Sequence, residues 1–112
     1  MNAQPLFPHQ RTDIYQAMLE LVRRVHGVIK HAELRDQAER AALSCILAIG
    51  EGLPHDGERM RRQYFARAKA SLGELVTATD TAQTIGAMGD DDWQACQQLA
   101  WRVRGMLVAL LR

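Results

Sequence analysis

Apolar side chains return every three to four positions in four successive segments of this chain, and in none do they alternate along a run. A period near 3.6 places them on one side of a helix, whereas a half-buried strand needs a period of two. Each segment therefore has a single stripe to bury, and other helices are the surface available to receive it. The first segment spans about Asp13 to Lys30, with Ile14, Met18, Leu21, Val22, Val25, Val28 and Ile29 inward. Thr12 is placed to cap it, and Asp13 suits the positive end of the helix dipole. The second spans about Leu34 to Gly50, with Leu34, Ala38, Ala41, Ala42, Cys45 and Ile49 inward. The third runs from about Glu58 to Met88, with Met60, Tyr64, Phe65, Ala68, Ser71, Leu72, Leu75, Thr79, Ala82 and Ile85 inward. The fourth starts at Asp91, where Asp91 and Gln94 have capping-box spacing. Its stripe is Trp93, Cys96, Leu99, Ala100, Val103, Met106, Leu107 and Leu110. Short breaks between the segments predict an all-α, antiparallel, up-down-up-down four-helix bundle. It occupies residues 12–112, after a flexible tail over residues 1–11 held extended by Pro5 and Pro8.

Composition narrows the class further. A chain of 112 residues is the size of one domain. Aromatics make up only 5% of it, so Leu, Ile, Val, Met and Ala must build the core. No stretch approaches the ~20 apolar residues of a membrane span, and the polar, proline-containing start is unlike a secretory signal. The expected location is the cytoplasm. Cys45 and Cys96 are far apart within helical patterns, as expected of buried thiols in a reducing compartment. The formal net charge is +1, which is unlike a strongly basic nucleic-acid binder.

Catalytic and metal chemistry finds no foothold. A di-iron bundle needs Glu-x-x-His on two of its helices, and this sequence has none. His26 and His31 are five apart, which no helix brings to one metal; His9 falls in the tail and His55 in a loop. Ser44 and Cys45 sit mid-helix, with no nucleophile-elbow or phosphate-loop glycines nearby. We expect no cofactor, no metal and no enzymatic activity.

Two surface features point to interaction instead. The run ERMRRQYFARAK carries Arg59, Arg61, Arg62, Arg67 and Lys69 against Glu58 alone. Such a patch suits phosphates, although Glu58 and Arg62 have the spacing of an internal ion pair. The second feature lies opposite the core stripes. Leu43 and Leu47 on the second helix, Ala66, Ala70 and Gly73 on the third, and Trp101 and Val108 on the fourth fall outside. A lone bundle would place charge at most of these positions. Small residues admit a second backbone, and an outward Trp anchors interfaces, so a homo-oligomer is expected.

The segment ERAALSCILAIGEGL ends in Gly50-Glu51-Gly52, with Pro54 beyond. Glycine followed by proline reads as a helix stop. Glu51 opposes the dipole there and is expected to have a cationic partner or a packing role.

These residues also resemble a family of small four-helix bundles first noticed as reading frames in large-subunit rRNA intervening sequences. That family includes the accessory variability protein of diversity-generating retroelements. Its RAAxSIxxNIAEGxG motif matches at Arg40, Ala41, Ala42, Ser44, Ile49, Glu51 and Gly52. Its F-x-x-x-A-x-G-S-L-x-E-L motif matches at Tyr64, Ala68, Ser71, Leu72, Glu74 and Leu75. Departures at Ile46, Ala48, Gly50 and Ala70 mark a divergent member. The resemblance implies a pentameric barrel of five bundles with no catalysis. It also implies that RNA, DNA or a reverse transcriptase is a partner, the alternative being a protein-binding adaptor with no nucleic-acid role.

Overall fold

The computed structural model describes residues 4–112; of the expected tail, residues 1–3 lie outside the described residues. Four helices follow a short 3-10 turn over Pro8–Arg11: α1 (Asp13–Val25), α2 (Ala32–Gly52), α3 (Glu58–Thr84) and α4 (Asp90–Leu111). The expected extended tail thus gives way to a turn before α1. Proline suits the first position of such a turn, and the Gln10 side chain accepts from the Phe7 backbone N–H at 2.8 Å.

Contacts between neighbouring helices fix their directions. Tyr15, early in α1, lies against Gly50, late in α2, while Gly27 just past α1 donates to Glu39 in the first half of α2. Gly52 at the end of α2 meets Tyr64 and Phe65 near the start of α3, and Ser44 meets Ser71 further along. Trp93 reaches Asp80 across the start of α4 and the latter part of α3, and Arg62 reaches Arg112 at the other end. Each helix runs antiparallel to the one before it, and α1 also packs on α4, which gives the expected up-down-up-down bundle.

The core is aliphatic, as the scarcity of aromatics requires. Met18, Leu21, Ile29, Ile49, Phe65, Leu75, Val103 and Leu107 are fully buried. Burying each such side chain is worth about 1.5–3 kcal/mol. Ile46 and Ala48 are buried as well, although they fall outside the expected stripe of α2. That helix packs on both α1 and α3, so its apolar arc is wider than one neighbour would demand.

Several boundaries differ from the sequence reading. α1 stops at Val25 rather than Lys30, because Gly27 adopts φ 72° and its N–H leaves the helix for Glu39 Oε2 at 2.7 Å. Ile29 is buried all the same, from the loop. α2 starts at Ala32, where the His31 imidazole Nδ1 accepts from Leu34 N at 3.2 Å and acts as the cap. α3 stops at Thr84 rather than Met88. Gly86 at φ 79° closes it: its N–H donates to the Gln83 carbonyl, and that of Ala87 to the Ala82 carbonyl at 2.7 Å. This pairing satisfies two carbonyls that the helix end leaves open. Ile85 is therefore 57% exposed instead of inward, and Met60 in the first turn of α3 is exposed too. α4 begins at Asp90 on a Gly89 cap, without the anticipated side-chain bond from Asp91. Its three leading aspartates favour the helix start through the dipole instead.

Candidate interaction surface

The five cations of the α3 run do not share one face. Arg59 and Arg62 are exposed near the start of α3, where Arg62 Nη1 donates to the Arg112 carbonyl at 3.4 Å. The expected Glu58–Arg62 ion pair is absent from the described residues. An exposed pair of this kind is worth only ~0.3–0.5 kcal/mol, too little to hold two long side chains against alternatives. Arg61 is half-buried: its Nε donates to the Gly52 carbonyl at 3.3 Å, and its guanidinium stands 5.2 Å from the Phe65 ring centroid. It is a second donor to that carbonyl, which also accepts from His55 N at 3.1 Å, and is the least available of the five to a phosphate. Arg67 turns toward α2, with its guanidinium 5.5 Å from the Tyr64 ring centroid. Lys69 turns toward α4.

Six of the seven residues expected to face away from the core lie on the surface. Leu43, Leu47, Ala66, Ala70, Gly73 and Trp101 are exposed, and Val108 is half-buried. Leu47 at 63% and Trp101 at 71% are the most exposed large apolar side chains of the four helices. They belong to two separate concavities. A groove of about 590 Å³ runs between α3 and α4 along Lys69, Leu72, Gly73, Val76, Trp101 and Arg104. A shallower hollow lies between α2 and α3, where Arg40, Leu43, Leu47 and Glu51 meet Arg67. Glu51 forms no ion pair with them among the described residues.

The Gly-Glu-Gly segment turns out to serve packing. Gly50 and Gly52 are both helical, and neither takes a left-handed angle, contrary to the expected glycine stop. A Cβ on Gly52 would sit 3.0 Å from Tyr64 Cβ and closer still to the Phe65 ring. The motif lets α3 close on the end of α2. Its serine does likewise: Ser44 Oγ and Ser71 Oγ lie 2.8 Å apart and satisfy each other between the helices. The sequence signal for that bond was a serine in the facing motif of each helix.

The histidines have local partners. His9 packs edge-on against Tyr15, His26 lies 3.8 Å from Glu39, and His55 Nδ1 accepts from Gly57 N at 3.0 Å. Burial pushes the Cys45 thiol up to about 12, and both cysteines are free and buried. Neither offers a reactive thiolate near neutral pH.

The paired motifs, the part-buried Ser44–Ser71 contact and the four-helix order agree with one family, whose model covers residues 10–109 under the description 23S rRNA-intervening sequence protein. The chain belongs to that family. The match begins before Thr12 and ends in the last turn of α4, so it takes in all four helices. Both family motifs map to the α2–α3 contact, where Gly52 and Ser44 of one helix meet Phe65 and Ser71 of the other. No curated protein matches the chain. Among the described residues, no helix is long and apolar enough to cross a membrane.

Proposed function

We propose that this chain is a non-enzymatic, cytoplasmic assembly protein that associates with itself as a pentamer and binds nucleic acid or a reverse transcriptase through its basic patches. The observation that carries this reading is the exposure of Leu43 and Leu47 on α2 and of Trp101 on α4, in a bundle whose core is already complete. Exposed apolar surface repeated in this way is what subunit contacts cover. Arg59 and Arg62 stay solvent-exposed at one end of the bundle, and a pentamer would repeat them five times. Repetition strengthens weak phosphate contacts through effective concentration. The family description, which refers to an rRNA intervening sequence, is in keeping with an RNA partner.

Light scattering tests both parts. Assembly predicts a mass near five times the 12.6 kDa chain, and RNA binding predicts added mass with a short RNA that disappears at high salt. A monomer would remove the assembly reading. An oligomer indifferent to RNA at low salt would favour the second reading, a protein-binding adaptor, which the formal net charge of +1 supports.

A further inference from the structure

The outer stripe of α2 and the groove between α3 and α4 carry the same pattern, each with a cation at its N-terminal end and a carboxylate at its C-terminal end. Along α2 it reads Arg40, Leu43, Leu47, Glu51, four residues that line one hollow. Along α3 it reads Lys69, Gly73, Val76, Asp80: the first three line the groove, and Asp80 continues the line toward α4, accepting from Trp93 Nε1 at 2.9 Å. Arg40 and Glu51 are as far apart in the chain as Lys69 and Asp80, about 16 Å along a helix and back on the same face. Both lines thus have charged ends and an apolar middle of matching length. Within the chain, none of Arg40, Glu51 and Lys69 forms an ion pair among the described residues.

We propose that the α2 stripe of one copy seats in the α3/α4 groove of a second copy, antiparallel to that copy's α3. Leu43 and Leu47 then lie over Val76, Leu72 and Gly73 beside Trp101. Glu51 meets Lys69 and Arg104, and Arg40 meets Asp80. Gly73 leaves the floor open, since a Cβ there would meet nothing within 4 Å. The reverse orientation would set Glu51 against Asp80 and Arg40 against Lys69, and like charges reject it. The hollow and the groove lie on the two sides of α3, one shared with α2 and one with α4. A head-to-tail contact between such sides leaves each copy with one stripe and one groove to offer, so copies add in one rotational sense and can close a ring. This pairing rests on the self-association proposed above and specifies its contact.

Complementation between two variants tests it. Leu47→Arg damages the stripe alone, and Gly73→Arg fills the groove alone. Both positions are exposed, so circular dichroism should report unchanged helix content. With wild type assembled, each variant by itself should fall to the monomer mass. An equal mixture should give a species of twice the 12.6 kDa chain, because one intact stripe and one intact groove remain. Continued assembly of Gly73→Arg would overturn the groove as the seat. Two monomers that stay monomeric when mixed would overturn the head-to-tail pairing, leaving self-association itself standing. Wild type that is monomeric would remove the self-association reading and this pairing with it. As a check on register, Glu51→Lys should weaken association roughly fivefold at low salt. Adding Lys69→Glu should restore it; failure of the restoration would overturn the proposed register.

Discussion

A Cβ placed on Gly52 would stand 2.8 Å from Phe65 Cε1, closer than two carbons pack. Phe65 is the largest fully buried side chain, so its ring has little room to yield. This contact sets how near the ends of α2 and α3 approach.

Gly52→Ala should therefore destabilise the fold. Overpacking costs about 1–3 kcal/mol, against a helix-propensity gain of about 1 kcal/mol. The urea midpoint should fall at fixed protein concentration. Gly105→Ala is the control: it is exposed in α4 and meets nothing within 4 Å, so it should gain about 0.5–1 kcal/mol. A Gly52→Ala protein as stable as the control would show that the ends of α2 and α3 are looser than this contact implies.

The Ser44–Ser71 bond should appear as coupling. Ser71 is buried, and its removal leaves Ser44 Oγ without its interhelical partner. Ser71→Ala should cost about 1–2 kcal/mol. The double replacement with Ser44→Ala should cost less than the two single losses combined. Strict additivity in a double-mutant cycle would mean that the hydroxyls contribute independently.

Gly86 closes α3 at φ 79°, an angle at which a Cβ meets its own backbone. Gly86→Ala should lose about 1–2 kcal/mol, and Gly86→Asn less, because Asn tolerates this region. Amide exchange should show the loss concentrated in the last turn of α3. Equal losses for the two variants would point to packing instead of backbone angle.

Both thiols should be silent in the folded protein. Burial pushes Cys45 up to about 12; burial, reinforced by Asp92 and opposed by Arg24, pushes Cys96 up to about 11. At pH 8 a disulfide reagent should react only after urea is added, and then with two equivalents. The raised values also fix a sign. Their contribution to stability is complete below the unfolded value near 9.0, and it declines as pH rises toward 11 and 12. Prompt labelling of either thiol at pH 8 without urea would contradict the burial of that site.

Much of the bundle was legible in the sequence, because a helix that buries one stripe must repeat it every 3.6 residues. Ile14, Met18, Leu21, Cys45, Phe65, Leu75, Val103 and Leu107 were all expected inward and are buried. The outward placement of Leu47, Gly73 and Trp101 follows from the same period read from the other side. Helix ends were less legible, since periodicity continues through loop residues such as Ile29 that stay buried after the helix has stopped. The role of Gly52 was also hidden: a glycine before a proline has the same appearance whether it turns the chain or admits a neighbour. The grouping of side chains was decided by tertiary structure alone. The sequence placed five cations in one run, but packing α3 between α2 and α4 sends Arg67 to one side and Lys69 to the other. It set Arg61 against the Gly52 carbonyl and the Phe65 ring as well, because the ends of α2 and α3 meet there, a juxtaposition that no run of residues along one helix can specify.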